Sequence, residues 1–175
     1  MTTIRNLTLA TLLSVAAVLP AHAEPGVQVG FSPEGSAQTL VLETIASARV
    51  SIRMLAYSFD APDIMQALVD AKRRGVSVRV VIDKKRNERK ASKTAMDFVT
   101  AGGVELRTSD HYLLQHDKTI IVDGSTVQTG SFNYSRSAET SNSENVIVMR
   151  DMPDVARQYV EHWQSRWDFG ERYPH

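Results

Sequence analysis

The spacing of apolar residues changes along the chain, and these changes divide it into strands and helices. Alternation of apolar and polar residues, typical of a half-buried strand, occurs at 27–31, 49–59, 76–83 and 104–109. Apolar residues at helical spacing occur between these segments, at 40–45, 60–75 and 87–103. We expect Asp60 to be the N-cap of the second helix and Gly75 to end it. The order β-α-β-α-β-α-β predicts an α/β sheet with crossover helices.

The last third of the chain has a different pattern, in which strands follow one another directly. Two apolar segments flank Asp123-Gly124, a strong hairpin signal. A further strand is predicted at 143–150, and a final helix at 152–169. The apolar stripe of that helix predicts core packing and consists of Val155, Tyr159, Trp163 and Trp167. We therefore predict one domain, 24–175, built on a mixed, mostly parallel sheet with helices on both sides.

The first 23 residues differ from the rest and have the pattern of a cleavable signal peptide. Arg5 precedes an apolar run at 7–19, and the segment 21–23 has the small-x-small pattern of a signal peptidase site, which predicts cleavage before Glu24. A membrane anchor is the alternative, but the run is shorter than the ~20 residues needed to span a bilayer. We therefore expect a periplasmic or secreted protein without stable membrane association.

Composition narrows the chemistry but not the partner. The chain has 175 residues, with 42% hydrophobic and 23% charged residues, which is typical of a globular protein. It has no cysteine, which excludes disulfides, thiolate catalysis and cysteine zinc sites. Removal of the signal peptide takes away Arg5 and no acid, and leaves 19 basic against 20 acidic side chains. Any attraction for an anion must therefore be local.

Polar side chains interrupt the apolar stretch that surrounds the predicted hairpin. His116 and Lys118 are two residues apart, as are Ser131 and Asn133, so on extended strands each pair points to one face. The turn at 123–124 folds the two strands together. We therefore expect an imidazole, an ammonium, a hydroxyl and an amide to converge on one small patch.

A patch of this composition suits a phosphate diester. Lys118 supplies positive charge, while Ser131 and Asn133 supply hydrogen-bond donors for the non-bridging oxygens. Gly130 removes a side chain where a ligand would approach closely. His116 is then available as a nucleophile toward phosphorus or as a general base. No cluster of carboxylates is evident in the sequence, so we expect neither a metal nor another cofactor.

The spacing H-x-K-x4-D-x6-G-S-x-N resembles the HKD motif of the phospholipase D superfamily. Its fixed positions are met by His116, Lys118, Asp123, Gly130, Ser131 and Asn133. At a background of ~5% for each position, a chance match has a probability of about 10⁻⁸ per starting point. The length, the signal peptide and the single motif also resemble the small bacterial periplasmic endonucleases of that superfamily. This resemblance covers essentially the whole mature chain.

The resemblance implies a mechanism that needs two histidines. One histidine attacks phosphorus and forms a phosphohistidine, and a second, from another HKD motif, protonates the leaving oxygen and then activates water. No metal takes part. This chain has one motif, because neither His111 nor His162 begins an H-x-K sequence. The resemblance therefore implies a two-fold homodimer in which two copies of His116 share one site.

Two acidic residues of the motif region have less certain roles. The resemblance implies that Glu144 hydrogen-bonds the nucleophilic histidine and orients it, whereas the alternative is a solvated glutamate at a strand end. Asp123 belongs to the motif, but its place in the turn makes a structural role as plausible as a catalytic one. The other histidines of the mature chain, His111, His162 and His175, are expected to be bystanders, with a place at the rim of the cleft as the alternative for His111.

The substrate is less determined than the reaction. The basic segment 83–93 follows a strand end, where it either extends a groove along a nucleic-acid backbone or is a solvated helix face. We favour a non-specific endonuclease acting on single- and double-stranded DNA, with RNA as a further candidate. The alternative is a secreted phospholipase D, whose apolar candidates for acyl chains are Met54, Leu55, Leu113 and Leu114. A non-enzymatic binding protein is disfavoured because a binder has no use for the nucleophile.

Overall fold

Residues 25–174 are described by the computed structural model, so the predicted signal peptide, the cleavage site before Glu24 and His175 lie outside the described residues. The strands are β1 (Gly26–Ser32), β2 (Ser51–Ala56), β3 (Ser77–Asp83), β4 (Glu105–Ser109), β5 (Thr119–Val122), β6 (Thr126–Gly130), β7 (Glu144–Arg150) and β8 (Glu171–Arg172). The helices are α1 (Ser36–Ser47), α2 (Pro62–Arg73), α3 (Lys90–Ala101), α4 (Arg136–Thr140) and α5 (Pro153–Phe169), with a 3₁₀ turn at Lys85–Asn87. The predicted α/β order is therefore present.

The described strands form one mixed sheet in the order β1-β7-β6-β5-β2-β3-β4-β8. Only the pairs β2–β3 and β3–β4 are parallel, and the other neighbouring pairs are antiparallel. The prediction of a mostly parallel sheet is therefore wrong. A parallel pair needs a crossover connection, which α2 and α3 supply, whereas a tight turn joins β5 to β6 and makes them antiparallel. The strand β1 pairs with β7, near the other end of the sequence, so α1 connects strands that are not neighbours in the sheet.

Helices cover both faces of the sheet, as the sequence predicts. On one face, α1, α2 and α3 bury the larger apolar cluster, to which β2 contributes Ile52, Met54 and Ala56. On the other face, α5 covers a smaller cluster that contains Leu55, Val81, Ile121, Val127 and Trp163. Trp163 is fully buried, and its indole N–H donates a 3.2 Å hydrogen bond to the carbonyl oxygen of Met54. The central part of the predicted stripe on α5 is therefore core.

The ends of the elements show where local signals mislead. The N-cap of α2 is Ala61 rather than Asp60, whose carboxylate instead accepts a 3.3 Å hydrogen bond from the backbone N–H of Arg136. The helix ends as expected, since Gly75 has a φ of 92° that favours glycine. The elements α4 and β8 were not predicted, because they are too short to show periodicity. Within residues 25–174, no helix combines the length and the apolar composition that crossing a membrane requires.

Candidate active site

Four polar residues of the motif lie at the open end of the β5–β6 hairpin. His116 and Lys118 precede β5, and Ser131 and Asn133 follow β6, so the expectation that they lie on the strands is wrong. The register nevertheless brings them together, because Thr119 pairs with Thr129 across the antiparallel ladder. The two segments therefore leave the sheet side by side. A cleft of about 540 Å³ lies there, lined by His116, Asp117, Lys118, Thr119, Thr129, Gly130, Ser131, Asn133, Glu144 and Tyr159.

Lys118 is the buried cation of the cleft. Its side chain is only 7% exposed, and its Nζ donates a 2.7 Å hydrogen bond to the carbonyl oxygen of His116. The same Nζ lies 5.1 Å from the centre of the Tyr57 ring, a cation–π contact. Burial lowers the pKa of Lys118, while the charges of Glu144 and Asp117 partly offset this effect. The positive charge of the buried ammonium is thus only partly compensated by acidic side chains, which favours binding of an anion.

His116 is exposed in the cleft and is contacted by Tyr57 and Lys118. Its ring lies 4.4 Å from the ring of Tyr57, centre to centre, at an angle of 56°. Its Nδ1 lies 3.2 Å from Nζ of Lys118. Because an ammonium only donates, Nδ1 accepts in this contact, and the proton of a neutral imidazole then resides on Nε2. No motif in the sequence marks Tyr57, and the structure places it directly against His116.

Glu144 contacts the hydroxyl of the motif rather than its imidazole. The hydroxyl of Ser131 donates a 2.6 Å hydrogen bond to Oε2 of Glu144, and the amide of Asn142 donates a 2.9 Å bond to Oε1. Ser131 also accepts a 3.0 Å bond from the backbone N–H of Asn145. The expected hydrogen bond between Glu144 and His116 is therefore replaced, in the single chain, by a network that orients Ser131.

Asn133 carries an unpaired polar atom at the cleft. Its flanking residues, Phe132 and Tyr134, are fully buried, and the Tyr134 hydroxyl donates a 2.8 Å bond to Gln128. This anchoring fixes the backbone of Asn133. Within the described residues, Oδ1 of Asn133 is buried and has no hydrogen-bond partner. A buried amide oxygen without a partner is costly, and a catalytic role is one explanation for such a group.

Gly130 lines the cleft for a reason that differs from the predicted one. Its φ is 144°, a conformation that favours glycine. A Cβ at this position would collide with the backbone carbonyl oxygen of Asn145 on β7. The glycine is therefore required where the chain leaves β6 against its neighbouring strand, rather than by the approach of a ligand.

A buried carboxylate positions the segment that carries His116, and the sequence analysis missed it. Asp83, at the end of β3, is 2% exposed and accepts hydrogen bonds from the backbone N–H groups of Gln115 (2.8 Å) and Arg86 (2.7 Å). The amide of Gln115 then donates a 2.5 Å bond to Asp117. His162 on α5 lies 3.2 Å from the same carboxylate. The signal in the sequence was an aspartate directly after the apolar run at 80–82.

Asp123 is the one residue of the motif that the structure separates from the cleft. It lies at the opposite end of β5, in the turn, with a φ of 52°. Its carboxylate accepts hydrogen bonds from the backbone N–H groups of Arg49 (2.9 Å), Val50 (2.8 Å) and Ser51 (2.7 Å). These contacts connect the hairpin turn to the start of β2. Across the described part of the chain, no three His, Asp or Glu side chains are grouped as metal ligands.

A pair of carboxyl groups joins α4, which follows the Asn133 segment, to the start of α2. Burial, together with the hydrogen bond and the charge of Asp63, raises the pKa of Glu139 to about 8. Burial also opposes ionisation of Asp63, but hydrogen bonds from Glu139, Gln38 and the Ile64 N–H outweigh it and lower the pKa of Asp63. The pair therefore shares one proton at neutral pH.

Replacement of Glu139 by glutamine is expected to reduce the pH dependence of stability. Because the pKa of Glu139 is about 8 in the folded protein and 4.5 as a model group, its stabilising contribution is present below pH 4.5 and is lost as the pH rises to 8. Thermal unfolding at pH 5, 6, 7 and 8 should show a smaller fall in Tm for E139Q than for wild type. E43Q, at an exposed position of α1, is the control. An equal fall in Tm for all three proteins would contradict the shared proton.

Comparison of the sequence with known proteins shows one family and several relatives to which this chain is similar. The chain matches the family described as "Cardiolipin synthase, PLD-like domain" over residues 41–167. A phospholipase D of Rickettsia bellii is 35% identical over 140 residues, which cover 80% of this chain and 68% of the relative. A mitochondrial cardiolipin hydrolase of Danio rerio is 30% identical, over 82% of this chain and 59% of the relative.

Solved structures have the same fold. Nuc from Salmonella typhimurium, described as a phospholipase D family member, is 56% identical and superposes with a TM-score of 0.86, over 87% of this chain and 100% of that chain. NucT from Helicobacter pylori is 21% identical and superposes with a TM-score of 0.77, over 86% of this chain and 100% of that chain. The second likeness concerns the fold alone.

Proposed function

We propose that this chain, which belongs to the phospholipase D-like superfamily of phosphodiesterases, is a metal-independent endonuclease. Its proposed reaction is hydrolysis of phosphodiester bonds in single- and double-stranded DNA, with RNA as a further substrate. The observation that carries the proposal is the convergence of His116, Lys118, Ser131 and Asn133 in one open cleft. The likeness to Nuc and the resemblance of the sequence to the small endonucleases of the superfamily favour nucleic acid over lipid. The predicted signal peptide supports a periplasmic or secreted location.

The proposed reaction has two displacement steps at phosphorus. In the first, a nitrogen of His116 forms a bond to phosphorus while the bond to the leaving oxygen breaks, and His116 of the second copy donates a proton to that oxygen. In the second, the same histidine of the second copy takes a proton from water, whose oxygen displaces the His116 nitrogen. Lys118, Ser131 and Asn133 stabilise the negative charge that develops on the non-bridging oxygens.

The contacts within the cleft suggest how a bound phosphate would prepare the nucleophile. A phosphate oxygen would attract the Lys118 ammonium away from Nδ1 of His116, now 3.2 Å distant. Nδ1 is then free to take the proton, which leaves the lone pair of Nε2 for attack. Glu144, which lines the same cleft, is the candidate to hold the Nδ1 proton once the Ser131 hydroxyl turns to the substrate. We assign Asp123 a structural role on its three backbone contacts.

An exposed apolar strip supports the homodimer that the mechanism requires. On β1, alternate side chains Val27, Val29 and Phe31 are 54%, 61% and 53% exposed. They share a face of the sheet with Ile147 of β7, and α5 packs beside them against the central strands. The register pairs Ser32 with Glu144, so the strip leads directly to the cleft. A second copy on this strip would bury it and bring two clefts together.

A lysine at position 29 is expected to separate the dimer and inactivate the enzyme. Two such lysines near a two-fold axis would repel each other and lose apolar burial. We expect V29K to elute as a monomer in light-scattering chromatography and to cut DNA about 100-fold more slowly or worse, although added positive charge alone would favour DNA binding. V50K, at a 70% exposed valine near the turn at the far end of the sheet, is the matched control. A fully active V29K monomer would contradict the shared site.

A phospholipase D acting on phosphatidyl lipids is the second candidate, because two apolar side chains are exposed beside the cleft. Leu113 and Leu114, which precede Gln115 and His116, are 85% and 49% exposed. The other apolar candidates, Met54 and Leu55, are buried in the core and face no ligand. Of these four apolar candidates, Leu113 and Leu114 are therefore the two available to contact a lipid surface.

Nicking of supercoiled plasmid by the purified mature protein in EDTA tests the proposed function. Nicking that persists in EDTA, without hydrolysis of phosphatidylcholine vesicles, is the expected result. Vesicle hydrolysis without nicking would favour the phospholipase. Nicking that requires added magnesium would contradict the metal-independent mechanism.

A further inference from the structure

A second, larger groove lies next to the catalytic cleft. It has a volume of about 980 Å³ and lies between the starts of α2, α3 and α4. Its floor is apolar, with Met65 and Ala95 buried and the ring of Phe98 42% exposed. The groove thus has an apolar floor and an exposed aromatic ring that a flat ligand can contact.

The rim of this groove is basic. It carries the side chains of Arg86, Arg89, Lys90 and Arg136. Among residues 25–174, none of these four cations takes part in a salt bridge. The acidic side chain that lines the groove is Asp60, and its carboxylate already accepts a hydrogen bond from the backbone of Arg136. The groove therefore has a local excess of positive charge in a chain without net charge.

The groove connects to the nucleophile through two side chains. The guanidinium of Arg86, on the rim, lies 5.8 Å from the centre of the Tyr57 ring. The same ring also contacts the ring of His116, at 4.4 Å between ring centres. A strand that leaves the cleft along this path would place its next phosphates beside Arg86 and then Arg89.

We propose that the groove binds unpaired nucleotides that flank the scissile phosphate, with a base stacked on Phe98 and the phosphates bound by the rim cations. The inference rests on the proposed nuclease function and adds a preference for single-stranded segments. An unpaired base can stack its face on an aromatic ring. In a duplex the bases are stacked on one another, so the backbone phosphates are the groups that the groove could contact. A lipid has one phosphate near its acyl chains, while four cations spaced along a rim match a polymer with repeating phosphates.

Binding measurements in the H116A background separate the groove from the chemistry, because this variant cannot cut the probe. Fluorescence anisotropy would compare a labelled dT12 strand with the 12-base-pair duplex. We expect the strand to bind more tightly, F98L to weaken strand binding about fivefold through loss of stacking, and R89E to weaken both ligands and reduce their salt dependence. R73E, at the far end of α2 where Arg73 pairs with Asp70, is the matched charge control and should bind as the parent does.

The other possible results distinguish failure of the groove proposal from failure of the proposed nuclease function. Binding by F98L and R89E within twofold of R73E would overturn the groove proposal, and plasmid nicking by the protein with His116 intact would show that the nuclease function survives. Loss of affinity for phosphatidylglycerol vesicles in F98L, with strand binding unchanged, would assign the groove to a lipid. Absence of both nicking and DNA binding would overturn the proposed function and the groove proposal together. Circular dichroism melting of each variant checks that it folds.

Discussion

Replacement of His116 by alanine is expected to lower the rate of DNA cleavage by about 10³-fold or more, because in the proposed mechanism it removes both the nucleophile and the acid of the shared site. The structure places this imidazole, exposed, at the mouth of the cleft, beside Lys118. The measurement is the rate of plasmid nicking in EDTA. Since the proposed dimer has two copies of the histidine, mixing the variant with wild type offers a second test.

The mixing test separates a shared site from independent sites. If both histidines serve one site, only dimers of two wild-type chains cut, and an equal mixture after exchange retains about a quarter of the activity. Independent sites would retain about half. H162Q is the matched control, because His162 contacts Asp117 on the α5 side of the cleft and is expected to change the rate less than about threefold. Undiminished nicking by H116A would contradict the phosphohistidine mechanism.

Replacement of Lys118 by methionine is expected to lower kcat about 10² to 10³-fold, the second largest effect. Methionine keeps the length of the side chain but removes the charge that stabilises the phosphorane-like transition state. Arginine should not restore the rate, because the ammonium fits between the His116 carbonyl oxygen, 2.7 Å away, and the Tyr57 ring. Steady-state kinetics on a fluorogenic oligonucleotide would measure kcat and KM for K118M and K118R.

The pH profile gives a readout that a purely structural lysine would not change. Since burial lowers the pKa of Lys118, its charge is lost at a lower pH than that of an ordinary lysine. As the pH rises, activity should therefore decline at a lower pH than that at which an ordinary lysine loses its proton. This decline should be absent from the residual activity of K118M. K72M, on α2, is the control. Retention of full activity by K118M would show that the cleft stabilises the transition state by other groups.

The sequence predicted the motif and most elements, but its rules for strands failed at two particular places. His116, Lys118, Ser131 and Asn133 were expected on strands, and the structure puts them just outside the hairpin. Their spacing still led to the correct cluster, because the turn at Asp123 sets the register that brings both ends together. The direction of the strands was mispredicted, since helical crossovers in the first half suggested parallel pairing throughout.

Several contacts of the site could not be predicted because they join residues distant in sequence. Asp83 holds the backbone of Gln115 from 32 residues away, and Tyr57 supports His116 from a different strand end. Asp123 matches the motif perfectly but lies at the wrong end of β5 to reach the cleft, which spacing along the chain does not reveal. The partner of Glu144 was likewise decided by the neighbouring Ser131 hydroxyl.

What the sequence by itself determined was the set of chemical groups: an imidazole, an ammonium and neutral donors at a spacing that one hairpin brings together, since such motifs depend on local order along the chain. Only the tertiary structure decided how these groups are supported and what surrounds them. The antiparallel meander, the Asp83 anchor, the exposed strip on β1 and the basic groove beside Phe98 arise from packing between distant segments. Periodicity shows which residues of one element share a face, whereas only packing shows which faces meet and which stay open to a second copy or to a nucleic acid.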